Sequence, residues 1–235
     1  MRTSKLDIII LVGGRGKRLG KLTKDTPKPI LKIKNNVFLD YLLNHIIREI
    51  KYINKIFFIA GYKGQQIKEK YKKSSYAKKF EFIVEKKLEG TGKAIFKYKK
   101  RYKRNNILIF NGDTLFKINL NKFIKFSINC NDPITMALTI NSNYISNSQL
   151  SNLSLREDKI YFSNKEKLMN GGIYFLKKNI LSKLSKNMKS FENDFIGNYI
   201  NKKKVSGLKF NNKFIDIGTQ KNLNFARKNF KKLNN

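Results

Sequence analysis

Leu-Val-Gly-Gly-Arg-Gly-Lys-Arg-Leu-Gly-Lys-Leu-Thr-Lys-Asp-Thr-Pro-Lys-Pro-Ile, residues 11–30, is the stretch on which the reading of this chain turns. It continues an apolar run, Leu6 to Val12, that reads as a buried strand. Gly13, Gly14 and Gly16 carry no Cβ, so the backbone can turn tightly there and come close to a ligand. Amide N–H groups freed in such a loop point at anions, and Arg18 and Lys28 add fixed positive charge. A strand feeding a glycine-rich loop with two placed cations suits the holding of a polyphosphate. Spacing excludes two commoner phosphate loops. The P-loop ends in Gly-Lys-Ser/Thr, and here Gly16-Lys17 is followed by Arg18. The dinucleotide fingerprint has its third glycine three residues after the second, where this chain has Leu19.

Downstream, apolar runs alternate with helical patterns. Lys55 to Ala60, Phe80 to Val84 and Asn106 to Phe110 read as strands bounded by polar residues or glycine. Between them, Val37 to Ile50 places Phe38, Tyr41, Leu42, His45 and Ile46 at helical spacing, and residues 63–72 and 91–103 read as further helices. This alternation implies parallel strands with right-handed crossovers and ligands at their carboxyl ends. Both the glycine loop and Asn111-Gly112-Asp113 fall at such ends. The second half is less regular. Pro133–Ile140, Ile160–Phe162, Gly172–Leu176 and Lys213–Ile217 read as strands, some of them antiparallel. Phe191–Asn201, capped by Ser190, and Thr219–Leu233 read as helices. Asn141 to Asn152, rich in Ser and Asn, reads as a loop over the site.

At 235 residues the chain fits one domain with a full core, and 12% aromatic and 40% hydrophobic residues exclude general disorder. No apolar run approaches the roughly 20 residues that span a bilayer, and Met1–Lys5 leads into a strand without a presequence pattern. With one cysteine, Cys130, no intramolecular disulfide framework exists. The expectation is a cytoplasmic protein without membrane partners. A net charge of +35 invites a nucleic-acid reading. Its lysines are spread along the whole chain, however, and asparagine and isoleucine, which share A/T-rich codons with lysine, are abundant too. No zinc spacing, helix-turn-helix or RNA-binding aromatic motif accompanies them. The charge accounts for nonspecific polyanion binding at low salt and not for a specific nucleic-acid partner.

The pattern G-G-x-G-x-R-L followed by P-K-P resembles the nucleotidyltransferase family that makes nucleotide sugars, with Val12 and Lys17 standing where the family has Ala and Thr. Four further motifs follow in order: Glu89-Gly90-Thr91-Gly92, Asn111-Gly112-Asp113-Thr114, Asn170-Gly171-Gly172-Ile173-Tyr174 and Phe214-Ile215-Asp216-Ile217-Gly218-Thr219. The likeness runs from Asp7 to about Ala226. It implies an α/β, Rossmann-like fold with a mixed, mostly parallel sheet sandwiched by helices. Residues 1–130 would form a nucleotide-binding half and 131–235 a sugar-binding half of a single domain. It also implies roles. Arg18, Lys28 and Asp113 would be catalytic, and Gly13, Gly14, Gly16, Gly90 and Thr91 would bind the nucleotide. Asp113 and Asp216 would hold Mg²⁺, a hard cation that wants oxygen ligands. Lys165, with Lys167 as the competing alignment, would bind the sugar phosphate together with Asn170, Gly171 and Glu192. Glu192 and Asp194 equally suit a helix start.

Within the family, E-G-T-G-x-A-I, N-G-D-T, N-G-G-I-Y, S-F-E-x-D-F and F-I-D-I-G look most like D-glycero-D-manno-heptose 1-phosphate guanylyltransferases. The length leaves no room for a further regulatory or acetyltransferase domain. The expected partners are an NTP, with GTP preferred, and a sugar 1-phosphate, in synthesis of a lipopolysaccharide or capsule precursor. Glucose, mannose or N-acetylmuramate 1-phosphate with another NTP stays open, as do a non-catalytic nucleotide-sugar sensor and the oligomeric state. The sole histidine, His45, lies on an apolar stripe and reads as packed. No serine or cysteine nucleophile has a histidine partner, so triad chemistry is disfavoured. A sugar 1-phosphate needs no general base, because its second pKa of about 6 leaves it largely dianionic at neutral pH.

Overall fold

The apolar run that opens the chain forms β1 (Leu6–Leu11), near the middle of a nine-stranded sheet. The structure is a computed structural model and describes residues 5–140, 149–163 and 165–234. After β1 comes a small hairpin, β2 (Lys32–Ile33) and β3 (Asn36–Val37), then α1 (Phe38–Glu49), β4 (Ile53–Ala60), α2 (Gly64–Tyr71), β5 (Phe80–Val84), α3 (Thr91–Lys97) and β6 (Asn106–Asn111). Next come β7 (Thr114–Phe116), α4 (Leu120–Asn129), β8 (Ile134–Thr139), β9 (Leu153–Arg156), β10 (Lys159–Phe162) and β11 (Met169–Lys177). The chain closes with α5 (Gly197–Asn201), β12 (Val205–Phe210), β13 (Phe214–Asp216) and α6 (Gln220–Asn234). The large sheet runs β5-β4-β1-β6-β11-β8-β12-β10-β9, while β7 and β13 make a separate antiparallel ribbon.

Strands β5, β4, β1 and β6 are mutually parallel, as the strand-helix alternation implies. β11 is wedged antiparallel between β6 and β8, and β12 pairs parallel to β8. The sheet is therefore mixed and mostly parallel, and it continues across the expected boundary near residue 130. Successive side chains of a strand point to opposite faces. Ile8 and Ile10, Phe58, Leu108 and Phe110 thus enter one core, with α1, α2, α4 and α6. Ile9, Phe57, Ile59, Ile107 and Ile109 enter the other, with α3, residues 191–196 and α5. Both faces being covered explains why the parallel strands read as unbroken apolar runs. The one charged residue in β1, Asp7, is fully buried. It accepts from Asn54 Nδ2 at 2.7 Å and from the backbone N–H of Lys103 and Arg104 at 2.6 and 2.9 Å.

Several elements differ from the sequence expectation. The helix expected over 91–103 stops at Lys97 and gives way to a 3₁₀ turn, Lys99–Arg101, because buried Tyr102 is drawn edge-on against Phe57 at 5.1 Å. β12 was not expected, since Gly207 and Lys209 interrupt its pattern. Gly207 is needed there, because a Cβ on it would come within 2.8 Å of Ile160. α4 was also overlooked, although Leu120, Phe123, Ile124 and Ser127 are buried at helical spacing. Residues 191–196 form a π-helical turn, capped as expected by Ser190, whose hydroxyl accepts from Asn193 N–H at 3.0 Å. Of the loop expected at Asn141–Asn152, residues 141–148 lie outside the described residues.

Candidate active site

The backbone leaves β1 under tension from both sides. Val12 N–H donates to Ile59 O at 2.9 Å, and Gly13 O accepts from Tyr62 N–H at 3.2 Å, which ties the glycine loop to the end of β4. Gly16 sits at φ +64°, a conformation L side chains rarely adopt, and a Cβ on it would lie 2.8 Å from Thr23. Its carbonyl accepts from Thr23 Oγ1 at 3.0 Å and from Leu19 N–H at 2.8 Å, which starts the 3₁₀ segment Lys17–Thr23. Leu19 is buried and anchors this segment, while Arg18 beside it is exposed. Around Gly14 a Cβ would meet nothing within 4 Å, so this part of the loop faces open space. Pro27 is extended and feeds the short turn Lys28–Ile30, whose buried Pro29 fixes Lys28 in place.

Lys28 forms an ion pair with Asp113, joining the two segments across 85 residues. Asp113 follows β6, and the turn there is tight because a Cβ on Gly112 would lie 2.5 Å from Val12 and 2.8 Å from Leu11 O. Thr114 pairs with Asp216 in the β7–β13 ribbon, and Ile217 N–H donates to Asp113 O at 3.0 Å. The two carboxylates foreseen as metal ligands are thus neighbours. Oδ1 of Asp216 accepts from Gly218 N–H at 2.8 Å and from Asn222 Nδ2 at 3.0 Å. Arg18 reaches the same turn, its Nη2 only 3.2 Å from where a Cβ of Gly218 would stand. Burial opposes ionisation of Asp113, yet the Lys28 ammonium with its hydrogen bond, and Arg18 farther off, hold the carboxyl below its ordinary value. Asp216 shifts the other way, pushed up by burial and by the negative charge of Asp113. Two carboxylates that raise one another's proton affinity, with oxygen donors alone, fit a hard divalent cation such as Mg²⁺.

Beside them lies a cavity of about 180 Å³ whose lining includes Gly13, Gly14, Lys28, Thr91, Asp113 and Glu192. Six residues singled out from the sequence therefore converge on one space. Because β11 runs antiparallel to β6, its beginning comes to the carboxyl end of β6, with Ile173 opposite Phe110. This brings Asn170 and Tyr174 to Asn111. Oε1 of Glu192 accepts from Asn111 Nδ2 at 2.8 Å, from Asn170 Nδ2 at 2.9 Å and from the Tyr174 hydroxyl. Asp194 takes the helix-start role instead, accepting from the N–H groups of Lys189 and Ser190 at 2.8 and 2.9 Å.

Gly171 is placed differently from the expectation. It is buried, and a Cβ on it would lie 2.5 Å from the Phe116 ring, so it serves packing beneath the site. Neither Lys165 nor Lys167 reaches the cavity, and both are exposed. Gly90 is held at φ +102°, with its missing Cβ 2.2 Å from Lys189 O. Thr91 Oγ1 accepts from Phe191 N–H at 2.9 Å, and Gly92 N–H donates to Lys189 O at 3.1 Å. The Gly90–Thr91 loop is therefore clamped to residues 189–191 and carries Glu192 into the site alongside it. Asn111, Tyr174 and Asn222 escaped the sequence reading. The first two stood inside quoted motifs, but no local signal marks Asn222. A larger cavity, about 440 Å³, borders α1 and shares none of these residues. His45 lines it, half-buried, its pKa lowered by that burial.

Residues 7–148 match the family model described as nucleotidyl transferase. A D-glycero-alpha-D-manno-heptose 1-phosphate guanylyltransferase of Aneurinibacillus thermoaerophilus is 32% identical over 95% of this chain and 97% of its own length. One from Campylobacter jejuni is 31% identical over 91% and 95%. The crystal structure of HddC from Yersinia pseudotuberculosis complexed with GMP-PN superposes with a TM-score of 0.78 at 26% identity, covering 95% of this chain and 99% of that one. With relatives alike from end to end, and a cleft in which the glycine loop, Lys28, Asp113 and Asp216 meet, the chain belongs to the nucleotidyl transferase family.

Proposed function

We propose that this enzyme transfers a guanylyl group from GTP to D-glycero-α-D-manno-heptose 1-phosphate, releasing pyrophosphate and forming a GDP-sugar. The observation that carries the reading is the polarity of the cleft. Lys28, Arg18 and the glycine loop surround the Asp113–Asp216 pair at one end, and the Glu192 cluster lies at the other. The triphosphate belongs at the cationic end, and sugar hydroxyls suit the carboxylate and amides of the Glu192 cluster. The two full-length relatives support the choice of sugar and base. Magnesium held by Asp113 and Asp216 would neutralise phosphate charge during transfer.

A phosphate oxygen of the dianionic sugar 1-phosphate attacks the α-phosphorus, the bond to the β-phosphate breaks, and pyrophosphate leaves in line. No side chain has to remove a proton. The problem for the protein is to align two polyanions and neutralise the departing charge, which is the work of preorganised cations and amides. Gly13 and Gly14 leave the backbone N–H groups close to the phosphates, Lys28 can exchange Asp113 for a phosphate oxygen, and Arg18 adds charge from the β13–α6 turn. Among the described residues no helix is long and apolar enough to cross a membrane. We place the reaction in the cytoplasm, in synthesis of a lipopolysaccharide or capsule precursor.

Pyrophosphate release measured over a grid of GTP, UTP, CTP and dTTP against heptose, mannose, glucose and N-acetylmuramate 1-phosphates tests the reading. GTP with the heptose should give the largest kcat/KM. A maximum at UTP or dTTP with glucose 1-phosphate would overturn the substrate assignment and leave the family standing.

A further inference from the structure

Glu85 is the first residue after β5, on the same sheet edge as the glycine loop. Its N–H donates to Ala60 O at 2.8 Å, as Val12 N–H donates to Ile59 O at 2.9 Å, so β1, β4 and β5 end in one row. Glu85 stands two strands from the glycine loop, roughly 9.5 Å at the usual strand spacing. From there the chain turns back over that edge. A Cβ on Gly61 would come within 1.9 Å of Leu88 and 3.0 Å of Gly13 O, after which Gly90 opens α3. Glu85 thus sits at the root of the loop joining the phosphate site to the Gly90–Thr91 turn. One of its oxygens, Oε1, is shielded from solvent and has no hydrogen-bond donor. Burial pushes its carboxyl up, with the Lys97 ammonium opposing and Glu89 adding to the shift. Buried carboxylate oxygens without a donor are rare, and one left so beside a ligand cleft is matched by donors that the ligand brings.

We infer that Glu85 reads the nucleobase, its carboxylate accepting N1–H and N2–H₂ of guanine side by side. The inference rests on the guanylyl transfer proposed above. With the phosphates over the glycine loop and the ribose spanning β4, the base edge arrives at β5. Guanine presents two adjacent donors to the two oxygens of a carboxylate. Uracil and thymine offer one N3–H between two carbonyls, which repel it. Adenine and cytosine place an acceptor nitrogen beside their amino group. The site therefore selects by leaving charge unpaired when the wrong base enters, the stronger form of discrimination.

Inosine triphosphate isolates the contact, because hypoxanthine keeps N1–H and O6 and lacks the N2 amino group. The wild-type enzyme should prefer GTP to ITP in kcat/KM by roughly 5- to 150-fold, the range for one lost buried hydrogen bond. In Glu85→Ala and Glu85→Gln that ratio should fall towards one, while kcat with saturating ITP changes little. Glu85→Gln should also raise UTP relative to GTP, since an amide pairs a donor and an acceptor with uracil. A GTP:ITP ratio unchanged in both variants overturns the inference. An equal loss of turnover with every nucleotide in both also overturns it, because a base reader leaves the phosphate chemistry alone. A wild-type enzyme that prefers UTP or dTTP fails the guanylyl reading itself before any variant is made.

Discussion

At one end of the cleft Lys28 and Arg18 lean on Asp113 and Asp216, and at the other a single carboxylate, Glu192, is encircled by Asn111, Asn170 and Tyr174. The first end is a set of full charges that remain close to one another because they are kept for a ligand of still higher charge. The second is a set of neutral donors around one charge, already satisfied within the protein. Long-range electrostatics can capture a triphosphate, but hydroxyl geometry on a sugar is read by hydrogen bonds of fixed direction. Substitutions at the two ends should therefore damage different kinetic constants.

The largest effect is expected at Asp113. Asp113→Asn keeps the size and removes the charge, and pyrophosphate release should fall about 10³-fold or more while the far-ultraviolet circular dichroism is kept. EDTA should abolish wild-type activity and Mg²⁺ restore it; full turnover in EDTA would remove the two-carboxylate account. Next come Lys28→Ala and Arg18→Ala, each lowering kcat about 10²-fold, as when a preorganised transition-state partner is lost. Exposed Lys186 and Lys221 serve as controls, since screened surface charge should leave kcat unchanged on conversion to Ala. Similar losses at all four positions would mean that activity follows bulk charge and that the two ends do not differ.

Glu192→Gln should act on the sugar side alone, raising KM for the sugar 1-phosphate about 10-fold with KM for GTP unaltered, the scale of one charge-assisted hydrogen bond. An equal rise for both substrates would erase the contrast between the ends. The smallest change is expected at Asn222, which touches no substrate but donates to Asp216 and is nearly fully buried. Asn222→Ala should weaken binding of Mn²⁺, a spectroscopic stand-in read by electron paramagnetic resonance, about 5-fold. Unchanged Mn²⁺ affinity would show that Gly218 N–H suffices to orient Asp216.

The two ends also differed in how much of them could be read from residues 1–235. The phosphate end is written locally. An apolar strand, three glycines, Arg18 and Pro27-Lys28-Pro29 stand within one short stretch, and backbone chemistry links each to its role. Its second carboxylate was marked by the motif around Asp216, but only the β7–β13 pairing brings it to Asp113. The Glu192 end depends on the reversed strand β11, and a strand's direction leaves no trace in its own alternation of side chains. The sequence pattern therefore quoted Asn170 and Tyr174 without showing that they meet Glu192. It also could not separate Gly171, needed to clear Phe116, from Gly172, needed for its φ of +72° at the β11 bulge. Asn222 was invisible because its function consists wholly of a contact with Asp216.

The β7–β13 ribbon bears on how the enzyme comes into being. Thr114 finds its partner Asp216 only 102 residues later, after every strand of the large sheet has been laid down. During vectorial synthesis the glycine loop, Lys28 and Asp113 emerge early, yet the second carboxylate is among the last elements to leave the ribosome. A nascent chain halted before residue 214 can own a nucleotide loop but no complete metal clamp, so catalytic competence is conferred at once, near the close of translation.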